Sequence, residues 1–183
     1  FMQVQSQKQM SAEEELAYLE EVKNRKIAIA KAEYEASEKT ANDKLALDLE
    51  VGEITMNNAK EQADVAIENA QLKMREYLLN NQTLIKDGER LTEALIAQEN
   101  QRLENIRNKQ LETLALEKGT NDQVIADKQA RNEALSLADI EYLEQKKAIE
   151  DEYAAEEKAN KEALIEQERE EKAIKEATDF EIA

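Results

Sequence analysis

The chain contains 183 residues, of which 42 are Asp or Glu and 25 are Lys or Arg, so its formal net charge is −17. This acidic surplus disfavours direct binding to nucleic acids or anionic lipids, because both attract proteins with a surplus of Lys and Arg. The absence of His and Cys excludes a Ser-His-Asp triad, a cysteine nucleophile, the usual type of zinc site and a Glu-x-x-His di-iron site. We therefore expect no enzyme, no cofactor and no metal site.

The composition predicts an all-α fold of long, extended helices that form a coiled coil or a straight helical bundle. Pro is absent and only three residues are Gly, so few positions break a helix. The abundant residues, Ala, Glu, Lys, Leu and Gln, have high helix propensity. Large apolar side chains are sparse, as is typical of coiled coils. No apolar run approaches the ~20 residues of a transmembrane helix, so we expect no membrane segment in this chain.

At the N-terminus, residues 1–10 are predicted to be a flexible or frayed segment. A long helical coiled-coil region is predicted over residues 11–118. Ser11 and Glu14 match a capping box, in which each side chain accepts a hydrogen bond from the backbone amide of the other residue. Gly88 follows an Asp, and this pair favours a turn, so we expect a kink or short hinge near residue 88.

The clearest predicted helix end lies at Gly119. Lys118 suits the last turn of a helix, and Gly119 suits the left-handed position after it. Thr120 and Gln123 match a second capping box, so two helices are expected to meet here; a helix that continues through Gly119 is the alternative. Residues 120–183 are predicted to form a second helical, highly charged region, in which Glu–Lys pairs at i,i+4 each contribute about 0.2–0.5 kcal/mol.

Apolar residues spaced by eleven predict a helix-packing stripe. Eleven residues make three turns at about 3.67 residues per turn, so such a stripe stays on one face of a nearly straight bundle. We interpret it as the contact face of a homo-oligomer of parallel helices, with a trimer favoured. The alternative is an amphipathic stripe in an antiparallel hairpin. The stripe has three series: Tyr34, Leu45, Met56, Ile67 and Leu78; Met74, Ile85 and Ile96; and Leu84, Leu95 and Ile106.

Two charged blocks, Glu99 to Arg107 and Leu143 to Tyr153, resemble helical stretches of the tail tape measure proteins of tailed bacteriophages. The resemblance implies an elongated structural protein that fills the tail tube of the virion, surrounded by other assembly proteins, and sets the length of the tail. If the resemblance does not hold, we expect a cytoplasmic protein. The alternative function is a helical hairpin or bundle that acts as a protein-binding scaffold, or as a stalk in a larger assembly.

Overall fold

The structure is a computed structural model that describes residues 10–182. These residues form five α-helices and no strand, which confirms the predicted all-α fold class. The predicted frayed segment over residues 1–10 lies, except for Met10, outside the described residues. The helices are α1 (Ala12–Ala36), α2 (Ala41–Asn80), α3 (Glu93–Lys118), α4 (Asp122–Ala130) and α5 (Leu137–Ile182).

Each helix begins after a Ser, Thr or Asn whose side-chain oxygen accepts a hydrogen bond from an amide of the first turn. The predicted cap at Ser11 is observed, since the amide of Glu14 donates to its Oγ at 3.2 Å. Thr40 and Asp43 form a reciprocal capping box, with distances of 3.1 and 3.0 Å. These short polar side chains cap helix N-termini at positions where the spacing of apolar residues does not indicate a helix boundary. The five N-caps are Ser11, Thr40, Thr92, Asn121 and Ser136.

Two connections divide the predicted helical region over residues 11–118 into three helices. The first connection covers residues 37–40. The hydroxyl of Ser37 donates to the carbonyl of Tyr34 at 2.6 Å, and such a local bond competes with continuation of the helix. Lys39 then adopts a positive φ of 55°. This break contains no Gly or Pro, and for that reason the search for helix breakers missed it.

The second connection covers residues 81–92 and takes the place of the kink predicted near residue 88. Gly88 has a φ of 75°, a conformation that Gly adopts without steric cost. The amide of Glu89 donates to the carbonyl of Lys86 at 3.1 Å, which closes a turn. The local turn preference of the Asp-Gly pair therefore determines a full break between α2 and α3.

Gly119 ends α3 as predicted. Its φ is 63°, in the left-handed region, and the amide of Thr120 donates to the carbonyl of Ala115 at 3.2 Å. The predicted capping box of Thr120 and Gln123 is wrong, because Asn121 is the N-cap of α4. The side-chain amide of Gln123 instead donates to the carboxylate of Asp127 at 2.8 Å. The hydroxyl of Thr120 is engaged elsewhere in the fold, as described below.

The described residues form two compact units that divide within α2, between Gln71 and Leu72, and not at Gly119. In the first unit, α1 and the adjoining part of α2 pair antiparallel. The side-chain amide of Asn58 donates to the carbonyl of Leu19 at 2.8 Å. Nearer the connection between the two helices, Lys44 lies over the ring of Tyr34 at 5.8 Å from its centroid.

In the second unit, α3 and α5 pack antiparallel, and α4 lies at the end of this hairpin. The residue numbers of contacting pairs along the two helices have a nearly constant sum, as antiparallel pairing requires. A small core joins the three helices around Leu114, Ile125 and Tyr142. The paired positions are Asn100 with Asn160, Arg107 with Tyr153, and Lys118 with Glu141.

Candidate functional site

Helix α2 buries one side against α1, here named the inner face. Leu47 and Asn58 are buried, and the side-chain amide of Gln62 donates to the carboxylate of Glu20 at 3.0 Å. The less exposed positions recur at intervals of four, four and three residues, which is an eleven-residue period. The inner face comprises Asp43, Leu47, Val51, Ile54, Asn58, Gln62 and Val65.

The opposite side of α2 carries a second apolar stripe, here named the outer face. Two residues along an α-helix correspond to a rotation of about 200°, so Leu45 and Leu49 lie across the helix from Leu47. Leu45, Leu49 and Met56 are 58%, 66% and 55% exposed. A contiguous row of exposed apolar side chains is typical of a protein–protein contact surface. The outer face comprises Leu45, Leu49, Gly52, Met56, Ala59, Ala63 and Ile67.

The predicted eleven-residue stripe is continuous only within α2. The connections over residues 37–40 and 81–92 separate its other members, so one unbroken face from Tyr34 to Ile106 does not form. In the second unit, Leu78 lines a groove with Leu103 and Ile106. The structure places Tyr34 in α1; Leu45, Met56, Ile67, Met74 and Leu78 in α2; Leu84 and Ile85 in the connection; and Leu95, Ile96 and Ile106 in α3.

A buried carboxylate joins α3, α4 and α5. Asp139 is 1% exposed and accepts hydrogen bonds from the hydroxyl of Thr120 at 2.6 Å, Nζ of Lys128 at 2.5 Å and the amide of Ser136 at 2.9 Å. The bond from Lys128, followed by those from Thr120 and Ser136, holds the pKa of Asp139 well below its usual range. Each of these donors favours the charged form of Asp139, so its carboxylate stabilises the fold by holding the three helices together.

A second buried carboxylate holds the connection between α2 and α3. Glu99 is 3% exposed and accepts hydrogen bonds from the amide of Leu84 at 3.0 Å and from Arg102 at 2.5–3.0 Å. Arg102 also donates to the carbonyl of Asn81 at 2.7 Å. Burial raises the pKa of Glu99, but the bonds from Arg102, Leu84 and Thr83 outweigh it and leave this pKa below its ordinary value. The pair therefore fixes both ends of the segment from Asn81 to Leu84.

Helix α5 has a polar line that the search for apolar stripes missed. Gln167 makes two hydrogen bonds to the backbone of Leu91, at 2.8 and 2.9 Å. Arg107 lies over the ring of Tyr153 at 4.6 Å from its centroid. Because these side chains recur every seven residues, the contact face of α5 has a heptad period and not an eleven-residue one. The polar line comprises Asp139, Lys146, Tyr153, Asn160 and Gln167.

The second unit also contains an open groove of about 200 Å³ between α3 and α5. Arg107 contributes a buried Nε that has no hydrogen-bond partner, while Glu152 and Glu156 also line the groove. Within residues 10–182, no cluster of acidic side chains has a geometry suited to a metal ion. The groove therefore combines charges of both signs.

Comparisons with known proteins give no match: no family model, curated protein or solved structure is similar to this chain. The resemblance to tape measure proteins therefore stays a prediction. Among the described residues, no helix is both long and apolar enough to cross a membrane. The outer face of α2 is the best candidate site, because it is the exposed apolar surface that coincides with the predicted contact stripe.

Proposed function

We propose that this chain is a non-catalytic structural protein that assembles through the outer face of α2. The observation that carries the proposal is the two-sided character of this helix. Its inner face is occupied by α1, whereas Leu45, Leu49 and Met56 remain more than half exposed. Burying apolar surface stabilises association by about 25 cal/mol per Å² before the costs of binding are subtracted. A row of three such side chains on one rigid helix is suited to packing against another helix.

The proposal agrees with the pairing of the buried charges in the second unit. The buried carboxylates of Glu99 and Asp139 each form an ion pair, with Arg102 and Lys128, so both stabilise the hairpin. The scaffold function remains compatible with this geometry, because an antiparallel hairpin presents fixed helical faces to a partner. The tape measure function would in addition require several chains to align along a tail tube, and it remains an alternative proposal.

Analytical ultracentrifugation of the full chain tests the proposed function. The monomer mass is 20.9 kDa, and we expect a concentration-dependent increase to a multiple of this mass at about 0.15 M salt. At that ionic strength the Debye length is about 8 Å, which screens much of the repulsion between chains of charge −17. Met56→Glu should abolish the increase, because it places a charge in the outer face.

Ile174→Glu is the matched control. Ile174 is 67% exposed in the last part of α5, so the substitution makes the same chemical change on another exposed helix surface. It should leave the association unchanged. A wild-type chain that stays monomeric up to about 1 mM, or an equal effect of both substitutions, would contradict assembly through α2.

A further inference from the structure

We infer that the occupant of the outer face is the same face of a second copy, packed antiparallel about a two-fold axis near Met56. This inference rests on the proposed function and specifies its partner. In a two-fold contact, residue i of one chain contacts residue j of the other, and j contacts i. A suitable face must therefore match itself when it is reversed.

The apolar side chains of the outer face match themselves in this way. With the axis near Met56, Leu45 faces Ile67 of the second copy, and Leu49 faces Ala63. Met56 then lies beside Met56 of the second copy. Gly52 and Ala59 flank this central methionine, so they leave room for the two backbones to approach while the larger side chains fill the space toward the ends.

The surface charges favour the antiparallel direction. Glu53 and Lys60 lie seven residues apart on the same edge of the stripe, three residues before and four residues after Met56. In an antiparallel pair each edge faces the same edge of the partner, which brings Glu53 of each copy to Lys60 of the other. A parallel pair would instead oppose this edge to the other one, which carries Asp48, Thr55 and Ala66. Glu53 would then approach the like charge of Asp48, and Lys60 would gain no acidic partner.

Both charged residues are accessible to a second copy, although Glu53 also lines an open groove with Lys23 and Lys26 of α1. Glu53 and Lys60 are exposed, and neither takes part in any ion pair that the described region contains. Within the first unit the outer face runs from Leu45 to Ile67, and Met56 is the midpoint of these two positions.

Disulfide cross-linking of the full chain tests the direction, because the chain has no Cys of its own. A disulfide requires Cβ atoms about 3.5–4.5 Å apart. Under mild oxidation, Met56→Cys should give a covalent dimer, and so should an equimolar mixture of Leu45→Cys with Ile67→Cys. Leu45→Cys alone should give at least tenfold less dimer. Equal dimer formation by Leu45→Cys, Met56→Cys and Ile67→Cys alone would show parallel packing and overturn the inference, although self-assembly would still stand.

A charge exchange gives an independent measurement. Glu53→Lys or Lys60→Glu alone replaces two attractive contacts with two repulsive ones, and should raise the dissociation constant about five- to thirtyfold. The double variant restores opposite charges across the interface and should return within about threefold of the wild type. Two single effects that simply add in the double variant would refute the antiparallel pairing. A monomeric wild-type chain would refute the proposed function as well.

Discussion

Leu114→Ala tests whether the small core of the second unit holds α3, α4 and α5 together. Leu114 is 4% exposed and packs with Ile125 and Tyr142. The substitution removes three carbon atoms, which corresponds to about 2.4 kcal/mol at roughly 0.8 kcal/mol per buried methylene. The cavity adds to this loss, but only three buried residues form the cluster, so neighbouring side chains can partly fill the space. We expect a loss of about 2.5–3.5 kcal/mol, in the lower half of the range for Leu→Ala.

Hydrogen exchange measured on peptides from residues 111–130 isolates this effect from the first unit. The expected loss corresponds to exchange about 60- to 300-fold faster in α4 and the end of α3. Leu116→Ala is the matched control, because Leu116 lies one half-turn away and is 45% exposed; its effect should stay below about 1 kcal/mol. Leu114→Met keeps the volume and should cost less than about 1.5 kcal/mol. Equal acceleration by the two alanine variants would refute the assignment of the core.

Three further predictions concern the polar features of the fold. Gly119→Ala should destabilise the second unit by about 1–2 kcal/mol in urea denaturation, because φ is 63° at this position. Gly52→Ala should instead stabilise α2 by about 0.5–1 kcal/mol, because Gly52 lies in a helix interior with open space around it. The pKa of Asp139 is lower in the folded chain than its unfolded value of about 3.9, so its contribution to stability is complete above about pH 5 and is lost as the pH falls through the folded pKa. Asp139→Asn should therefore be less stable than the wild type at pH 6 in urea denaturation, and it should lose less stability on acidification to pH 3. Glu99→Gln should increase tryptic cleavage at Lys86 and Arg90 several-fold by weakening the hold on the α2–α3 connection, whereas the exposed Glu93→Gln should not.

The helical character of the chain was predictable, but its division into helices was predictable only in part. Gly119 and Ser11 carry recognisable end signals, and the structure places helix boundaries at both. The boundary at Thr40 depends on two hydrogen bonds with Asp43, and Thr and Asp occur at many positions that do not cap a helix. Such a boundary forms because α1 and α2 can then pack against each other and bury apolar side chains. The free energy of this packing depends on residues distant in sequence, so a local sequence pattern does not reveal it.

The candidate site shows a similar limit. The eleven-residue series through Leu45, Met56 and Ile67 is a real face of α2, but Leu47 and Asn58 define a second face with the same period. A period fixes the angle at which side chains recur around a helix, so two opposite faces of one helix give identical spacings. Periodicity thus indicates which side chains share a face, and it does not indicate which partner covers that face.

Polar residues supply the information that periodicity lacks. On the inner face, Asn58 binds a backbone carbonyl of α1, and a buried amide of this kind favours one register because any shift would leave it without a partner. On the outer face no buried amide occurs within α2, and the nearby charged residues Glu53 and Lys60 are exposed. Exposed charges contribute little affinity but discriminate between directions of approach. The inner face of α2 therefore fixes the register of folding within one chain, and the charges beside the outer face select the direction in which another chain approaches. A helix needs both properties if it folds within one chain first and assembles with another chain afterwards.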